Sequence, residues 1–309
     1  MSHIYIYSPS SAVRDKVAFR RGVRHLQALG HEVEIDEAAL SSHMRFAGDD
    51  DTRVAAVGRA AASGADVALI SRGGYGLTRI LPALPYRQLA KAVERGTRFV
   101  GLSDFTALQC ALLARTGAVS WAGPALGEDF GAEEPDDIMQ SCFDDLLCGQ
   151  GEGSGWRLPT RDAGWLPVDR QTGLPHMQVN KTMLWGGNLS VLGSLVGTPY
   201  LPPVKGGVLF LEDVNEHPYR IERQLTQLLH AGVLGSQKAI LLGAFTRYKA
   251  VPHDRGFRLQ TVVDWLRSQL KVPVLTGLPF GHVPTKVLLP VGERVSLMVD
   301  GRDALLYWG

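Results

Sequence analysis

The chain has 309 residues, 45% of them hydrophobic and 20% charged, a balance typical of a folded globular protein and not of a disordered one. The length accommodates two domains or one large one. The 32 Lys and Arg residues against 31 Asp and Glu give a formal net charge of +1, without a long run of one sign. The composition therefore gives no electrostatic reason to expect nucleic acid or an anionic membrane as the main partner.

The cysteines and the start of the chain indicate a reducing compartment. Cys110, Cys142 and Cys148 have no Cys-x-x-Cys spacing, and they fit neither a disulfide framework nor a zinc site. Neither a secretory signal pattern nor an apolar run of about eighteen residues is visible. These observations predict a cytoplasmic protein, with Cys110 as a buried structural thiol inside an apolar helix.

In the first half, short β-prone runs alternate with amphipathic helical patterns. The predicted elements are a strand over 4–7, a helix over 13–29, a strand over 31–35, a helix over 53–63 and a strand over 66–70. A fourth strand is predicted at Phe99 and Val100. This alternation predicts an α/β fold whose mainly parallel sheet is flanked by helices, with ligands bound beyond the carboxyl ends of the strands.

Ser103 lies where the fourth strand joins a helix. A serine on a tight strand-to-helix turn projects its hydroxyl beside amides that have no helical acceptor. The turn could thus provide a nucleophile and part of an oxyanion hole. The alternative is a serine that only caps the helix, since the local pattern is Gly-x-Ser-Asp and not Gly-x-Ser-x-Gly.

A second turn at the same predicted sheet edge is rich in glycine. It runs from Gly73 to Gly76, directly after the third strand. Glycine lets the backbone approach a ligand closely, but the spacing fits neither a dinucleotide fingerprint nor a phosphate loop. The turn is therefore a simple connector, a source of an amide donor facing Ser103, or, against its spacing, a phosphate cradle.

The second half begins after the glycine-rich stretch 149–155. We predict an N-terminal domain over 1–150, a linker over 151–175 without clear periodicity, and a C-terminal α/β domain over 176–309. The C-terminal elements, in order, are a turn at 185–189 leading into a helix, a strand over 207–211, a helix over 219–230, strands over 239–242 and 272–275 around a helix over 259–270, and two or three antiparallel strands within 287–308.

Two residues of this half could complete a serine-dependent site. A serine hydroxyl needs a base, for which histidine is suited near neutral pH, and the histidine needs a carboxylate to fix its tautomer. His282 follows a buried-type strand and a glycine, and Glu212 ends an apolar strand. The alternatives are a loop histidine and an ion pair of Glu212 with Arg220 or Arg223. A catalytic metal is disfavoured, because no His-Glu-x-x-His motif or comparable ligand spacing occurs.

Five blocks together carry a resemblance to a known family. They are Ser-Arg-Gly-Gly-Tyr-Gly at 71–76, Gly-Leu-Ser-Asp-Phe-Thr at 101–106, Leu-Trp-Gly-Gly-Asn-Leu at 184–189, Leu-Glu-Asp-Val-Asn-Glu-His-Pro-Tyr-Arg at 211–220 and Gly-Leu-Pro-Phe-Gly-His at 277–282. In this order they resemble the LD-carboxypeptidases (muramoyltetrapeptide carboxypeptidases), a family of serine peptidases that also holds the microcin C immunity peptidases. The resemblance covers nearly the whole chain.

The resemblance implies a role for each matching residue. Ser103 is expected to be the nucleophile, Glu212 the orienting carboxylate and His282 the base, with Glu216 as the close rival of Glu212. The backbone amides of Gly74 and Asp104 would form the oxyanion hole.

Asn188 is expected from the same resemblance to line the substrate pocket. The implied site lies between the two domains, which would supply Ser103 from one side and the Glu–His pair from the other. The irregular segment 156–175 departs from the family pattern and leaves substrate contacts there unassigned.

The implied activity is hydrolysis of the amide between meso-diaminopimelate, or L-lysine, and the terminal D-alanine of murein tetrapeptides in cell-wall recycling. No cofactor or metal is expected, and a homodimer is implied. One alternative is an immunity-type peptidase that cleaves aminoacyl-nucleotide conjugates. Another is a binding protein for a sugar or peptide without catalytic activity.

Overall fold

The computed structural model describes residues 1–308. The strands are β1 His3–Tyr7, β2 Glu32–Ile35, β3 Val67–Ile70, β4 Arg98–Gly101, β5 Ser120–Ala122, β6 Gly153–Arg157, β7 His176–Asn188, β8 Val208–Val214, β9 Ala239–Thr246, β10 Val274–Thr276, β11 Leu289–Val291, β12 Arg294–Asp300 and β13 Asp303–Trp308. The helices are α1 Lys16–Ala28, α2 Asp50–Ala62, α3 Leu77–Ile80, α4 Tyr86–Glu94, α5 Thr106–Thr116, α6 Asp137–Cys148, α7 Thr160–Ala163, α8 Leu189–Ser194, α9 Pro218–His230 and α10 Leu259–Gln269.

The chain divides into two compact units. The first unit comprises Met1–Gly151, Gly197–Pro202 and Pro284–Val291, and the second comprises Glu152–Val196, Pro203–Val283 and the described residues from 292 to 308. Within the stretch 151–175, predicted as a linker, the part from residue 152 onward belongs to the second unit and contributes β6, which pairs with β13. Conversely, 284–291 returns to the first unit and supplies β11. Neither crossing leaves a signal in local periodicity, because strand pairing over such sequence distances is decided by tertiary contacts.

The first unit is built on a six-stranded sheet with the order β11-β5-β4-β3-β1-β2. All neighbouring pairs are parallel except β11 with β5. The chain moves from β1 outward to β2 and then returns to the other side of β1 for β3, so the order reverses between β1 and β3. Open parallel sheets of this kind bind ligands outside the carboxyl ends of the strands at such a reversal.

The core of the first unit follows from the apolar runs in its strands. Five apolar strand residues are fully buried and pack against the inward faces of α1 and α6: Ile4, Ile6, Val67, Leu69 and Val100. Because helices cover both faces of the sheet, β3 is buried along its whole length and β1 and β4 are buried at all but their first residue, whereas the edge strand β2 is largely exposed. Helix α1 starts at Lys16, later than the periodicity predicts, because the Asp15 side chain accepts from the amides of Val17 and Ala18 as its N-cap.

The second unit contains a seven-stranded mixed sheet with the order β10-β9-β8-β7-β12-β13-β6. Strands β7 to β10 are parallel, and β12, β13 and β6 continue the sheet with antiparallel pairings. The predicted fold class is therefore confirmed: a mainly parallel sheet with flanking helices, followed by a mixed α/β unit. Cys110 is buried, as predicted. Among residues 1–308, no helix is both long and apolar enough to cross a membrane.

Candidate active site

Ser103 occupies a backbone conformation that L-residues rarely adopt. It follows the last residue of β4 by two positions and opens the short 3-10 turn Ser103–Phe105, which leads into α5. Its φ is 65°, in the left-handed region. Such a conformation costs about 1–2 kcal/mol for a non-glycine residue, and it persists only where the surroundings enforce it. Strain of this kind clusters at functional sites, and here it falls on the candidate nucleophile.

The glycine-rich turn after β3 lies against the Ser103 side chain. A Cβ added to Gly73 would lie 2.6 Å from Ser103 Cβ and 2.9 Å from Ser103 Oγ, so only glycine fits at this position. Gly74 has a φ of 112°, and a Cβ there would lie 2.2 Å from Ser11 Oγ. Ser11 Oγ also accepts from the amide of Tyr75 at 3.0 Å. The turn is therefore built for close approach to the Ser103 and Ser11 side chains.

The amides of Gly74 and Asp104 are the predicted oxyanion donors. Within residues 1–308, neither amide has a hydrogen-bond acceptor, and the Gly74 backbone is exposed. Amides of the first helical turn lack helical acceptors by geometry, which accounts for Asp104. Both groups are thus able to donate to a developing negative charge.

The Asp104 carboxylate connects three turns of the first unit. It is 2% exposed, and its Oδ2 accepts from Ser10 Oγ at 2.7 Å and from the Leu77 amide at 2.8 Å. Ser10 follows β1, Leu77 follows β3 and Asp104 follows β4. Burial raises the pKa of Asp104, against the lowering effect of these hydrogen bonds. The residue behind Ser103 therefore fixes its turn to the two neighbouring turns at the carboxyl edge of the sheet.

In the second unit, Glu212 and His282 form a buried hydrogen-bonded pair. Glu212 lies within β8, and its side chain is 1% exposed. His282 Nδ1 lies 2.7 Å from Glu212 Oε2. Because an ionised carboxylate only accepts hydrogen bonds, Nδ1 is assigned as the donor, which leaves Nε2 as the basic nitrogen. This is the geometry in which a carboxylate holds a histidine in the tautomer of a general base.

Glycine is required where the His282 loop reaches the Glu212 carboxylate. Gly281 has a φ of 135°, and an added Cβ would lie 3.2 Å from Glu212 Oε2 and 3.1 Å from the Ala244 carbonyl oxygen. Gly243 faces the same loop, since a Cβ there would lie 2.4 Å from the Phe280 carbonyl oxygen. The two glycines allow the loop to lie close to β8 and β9, so that His282 can contact a carboxylate inside the sheet.

Asn188 contacts Glu212 through its side chain. It ends β7, and its Nδ2 donates to Glu212 Oε1 at 3.1 Å and to Asp213 Oδ1 at 3.0 Å. Its Oδ1 accepts from the Val191 amide at 3.1 Å and so caps α8. Asp213 Oδ2 accepts from the amide and the hydroxyl of Ser190 at 2.9 and 2.7 Å. Burial raises the pKa of Asp213. Asn188 is 4% exposed, and these contacts show that it positions Glu212.

Comparison with known proteins places the chain in a family. Residues 4–123 match the model of the LD-carboxypeptidase N-terminal domain, and residues 181–297 match that of the LD-carboxypeptidase C-terminal domain. The murein tetrapeptide carboxypeptidase of Pseudomonas aeruginosa is 33% identical over 230 residues, which cover 73% of this chain and 70% of that protein. The chain belongs to the LD-carboxypeptidase family. The predicted family and the predicted enzyme class, a serine carboxypeptidase, are thereby confirmed.

Solved structures agree with this membership of the LD-carboxypeptidase family. The crystal structure of muramoyltetrapeptide carboxypeptidase from Oxalobacter formigenes is 37% identical, with a TM-score of 0.85 over 100% of this chain and 99% of that one. The microcin C7 self-immunity protein MccF, without ligand, superposes with a TM-score of 0.83 at 22% identity over 100% of this chain and 96% of that one. At that identity the second likeness concerns the fold alone.

For this LD-carboxypeptidase, the structure assembles the predicted residues in two groups. Ser103 meets the Gly73–Gly74 turn and Asp104 in the first unit, and Glu212, His282 and Asn188 meet in the second. Glu216 lies beyond β8 and faces Arg220 at 3.8 Å, which leaves Glu212 as the carboxylate that contacts the histidine.

Three polar residues that support these groups, Ser10, Ser11 and Asp213, are not apparent as site residues from the sequence. Asp213 adjoins Glu212 in the sequence and could have been singled out as a second carboxylate at the same strand. The two serines could have been singled out only by their position after β1. Within residues 1–308, no group of three or more His, Cys, Asp or Glu side chains is arranged to hold a metal ion.

Proposed function

We propose that the protein is an LD-carboxypeptidase that removes the terminal D-alanine from murein tetrapeptides during cell-wall recycling. The bond cleaved is the amide between meso-diaminopimelate, or L-lysine, and D-alanine. The observation that carries the proposal is the His282–Glu212 pair, a histidine whose Nδ1 is held at 2.7 Å by a buried carboxylate. Family membership supports the reaction class, because the matched models are those of both LD-carboxypeptidase domains.

In the proposed mechanism, Ser103, Glu212 and His282 act as a catalytic triad. His282 Nε2 takes the proton of Ser103 Oγ as the oxygen attacks the amide carbonyl carbon. The amides of Gly74 and Asp104 donate to the resulting oxyanion. The carbon–nitrogen bond then breaks, and His282 returns the proton to the amine of D-alanine, which leaves.

The remaining acyl-enzyme is resolved by water. His282 takes a proton from the water molecule as its oxygen attacks the ester carbonyl of the acyl-Ser103. The ester bond breaks, the proton returns to Ser103 Oγ, and the tripeptide leaves with a new carboxylate. Glu212 accepts the hydrogen bond from His282 Nδ1 and stabilises the imidazolium of each step. The cycle uses no group beyond the chain, the peptide and water.

Mass spectrometry of a murein tetrapeptide after incubation tests the proposal. Wild type is expected to release one D-alanine in the presence of a chelator, whereas Ser103→Ala releases none. Ser63→Ala removes a serine hydroxyl from the end of α2 in the same unit and should behave as wild type. Release by Ser103→Ala at the wild-type rate would overturn the assignment of the nucleophile.

If the tetrapeptide stays intact after incubation with wild type, the proposed substrate is wrong. In that case an aminoacyl-nucleotide conjugate, the substrate class implied for the immunity branch, becomes the next to test by the same method. Parallel incubations with the diaminopimelate and the lysine tetrapeptide measure the preference for the third residue.

We also propose a cytoplasmic enzyme that forms a homodimer. The cytoplasmic assignment rests on the three cysteines, all of which are free of disulfides. Light scattering coupled to size-exclusion chromatography tests the dimer: a mass twice the 33.6 kDa of the chain is expected, and a mass of one chain would contradict it.

A further inference from the structure

Arg72 begins the turn that contacts the candidate nucleophile, and most of its hydrogen-bonding capacity is unused. It directly precedes Gly73, the residue whose missing side chain makes room for Ser103. A guanidinium carries five N–H donors. Within residues 1–308, the one acceptor of the Arg72 side chain is the Ala12 carbonyl oxygen, 3.1 Å from Nη1, and no carboxylate lies within 4.0 Å of it.

The neighbouring Arg53 shows what a structural arginine looks like in this unit. It is 0% exposed, and it donates to the carbonyl oxygens of Gly76 and Pro9 at 2.8 and 3.3 Å and pairs with Asp50. Arg53 is thus bound by its own chain on several sides. Arg72 is only half-buried, and its side chain makes one hydrogen bond. Its planar guanidinium group can therefore donate further hydrogen bonds to a ligand.

Arg72 lies beyond the carboxyl end of β3, at the edge where open parallel sheets generally bind their ligands. Arg72 follows β3 and its acceptor Ala12 follows β1, so the side chain spans the point where the strand order reverses. Parallel sheets bind ligands in the crevice outside the carboxyl ends of the two strands at this point. Ser103 follows β4, which pairs with β3. The guanidinium and the hydroxyl therefore belong to adjacent turns at one sheet edge.

The charges around Arg72 favour an anion. Arg14 and Arg45 are close enough to repel its positive charge, whereas Glu128 attracts it. Both arginines are exposed, and within residues 1–308 neither has a carboxylate within 4.0 Å. Arg45 lies over the Tyr75 ring, 5.7 Å from its centroid. Arg14 and Arg45 thus add to the positive charge of Arg72, and Glu128 offsets part of it, although the whole chain is nearly neutral.

We propose that Arg72 binds the free carboxylate of the terminal residue that is cleaved off, with Arg14 and Arg45 adding positive potential. This inference rests on the proposed function and specifies how that site selects its substrate. The free carboxylate of a terminal residue is only two bonds from the scissile nitrogen, so the group that binds it must adjoin the nucleophile. Arg72 meets this requirement through Gly73. A peptide continuing beyond the scissile bond would place a neutral amide against the guanidinium, and this restricts cleavage to the last residue.

The test compares a murein tetrapeptide with its C-terminal amide. Wild type is expected to cleave the free acid and to cleave the amide at least 10-fold less efficiently, by kcat/KM. Arg72→Gln should lower kcat/KM for the free acid by about 10- to 100-fold, the usual effect of losing a charged hydrogen bond, and leave the amide unchanged. Arg72→Lys keeps the positive charge but loses the planar guanidinium group. It should therefore retain more preference for the free acid over the amide than Arg72→Gln does.

Arg79→Gln is the matched control. It removes the same charge from the same unit, but Arg79 pairs with Asp50 at 2.7 Å and should leave the ratio of the two substrates at the wild-type value. Arg14→Gln and Arg45→Gln each remove one positive charge near Arg72 and so test the contribution of these charges to binding. Both side chains are exposed, so the fold should be retained. Each should lower free-acid cleavage by about 2- to 5-fold at low salt and less at high salt.

The outcomes separate this inference from the proposed function. A wild type that cleaves acid and amide equally, or an Arg72→Gln that slows both alike, would overturn the carboxylate role and leave the proposed function intact. If wild type cleaves neither, the proposed function fails, and calorimetric titration of the Ser103→Ala variant with both peptides decides the inference. Tighter binding of the free acid that Arg72→Gln abolishes would support it, and equal or absent binding would overturn it.

Discussion

The two units position their candidate catalytic groups by different physical means. In the first unit the position of Ser103 depends on the backbone: a left-handed φ of 65°, and a glycine whose missing side chain admits Oγ. In the second unit Glu212 and His282 are held by side-chain hydrogen bonds at 2.7 and 3.1 Å. One group is set by the conformations available to the chain, and the other by the satisfaction of buried polar atoms.

The units nevertheless share one device. A buried aspartate directly follows the candidate catalytic residue in each: Asp104 after Ser103, and Asp213 after Glu212. Each carboxylate accepts hydrogen bonds from the turn or strand end beside it, and burial raises the pKa of each. A buried polar group is costly unless it is satisfied, so each aspartate ties neighbouring turns together. In each unit, one supporting residue therefore lies next in sequence to the candidate catalytic residue.

Two substitutions of Ser103 have the largest expected effect. Ser103→Ala and Ser103→Gly should both lower kcat by about 10⁴-fold or more, because the nucleophile is gone. They should differ in stability, since glycine adopts a positive φ without the cost that alanine bears. Ser103→Gly is expected to unfold at higher urea concentration than Ser103→Ala, by about 1 kcal/mol in the free energy of unfolding. Equal stability of the two variants would contradict the role assigned to backbone strain.

Gly281→Ala should disturb the second unit at the point where the His282 loop meets Glu212. The added Cβ would lie 3.2 Å from Glu212 Oε2, in a backbone with a φ of 135°. A displacement of the pair by a fraction of an ångström is expected to lower kcat by about 100-fold. Gly301→Ala is the control, because Gly301 also has a positive φ but nothing within 4 Å of the added atom. Both variants should lose stability, and an equal loss of activity would refute the crowding argument.

Asn188→Ala tests whether side-chain hydrogen bonds hold the Glu–His pair. The substitution leaves buried oxygens of Glu212 and Asp213 without a common donor, so the free energy of unfolding should fall by about 1–3 kcal/mol, and kcat by about 10-fold. Ser190→Ala removes one donor to Asp213 but keeps the Ser190 amide at 2.9 Å, and its effects should be smaller on both measures. Urea-induced unfolding and steady-state kinetics on the same preparations give the comparison, and a Ser190→Ala effect as large as that of Asn188→Ala would count against it.

The sequence predicts the fold well where the evidence is local. Alternating apolar runs and helical spacings identify β1, α1, β3 and β4, and α9 is predicted to within one residue at its start. It does not predict the pairing of β6 with β13 or the return of β11 to the first sheet, because both depend on partners more than a hundred residues away. Element boundaries also shift where a cap such as Asp15 decides them.

Prediction of the candidate site shows the same limit. The sequence singles out Ser103, Glu212 and His282, because each ends or follows an apolar strand. A polar side chain at such a position is costly to bury unless it has a partner. Arg72 and Ser11 do not stand out, because their contacts join turns that follow different strands of the sheet. The candidate catalytic residues are therefore visible in the sequence, while Arg72 and Ser11 become candidates only once the strand order is known.

The smallest expected effect is a difference in pH dependence between the two buried aspartates, measured as the free energy of unfolding of their asparagine variants. Burial raises the pKa of Asp104 above its ordinary value of 3.8, so the folded state binds its proton more tightly than the unfolded state. The stability that this proton gives is present below pH 3.8 and is lost as the pH rises through the folded pKa. Asp104→Asn does not titrate, and its Oδ1 can accept from Ser10 and Leu77 as Oδ2 does now. The difference in free energy of unfolding, variant minus wild type, should therefore increase with pH across this window and then stay constant.

Asp213→Asn should behave differently although burial raises that pKa too. Asp213 accepts through both oxygens, from Asn188 and Val214 on Oδ1 and from Ser190 on Oδ2. An amide NH₂ would face a donor on one side or the other, and such a buried mismatch costs about 1–3 kcal/mol. The same titration should then show a destabilised variant at every pH near neutrality. Parallel curves for the two variants would contradict the view that hydrogen bonds, rather than the backbone, position the Glu–His pair of the second unit.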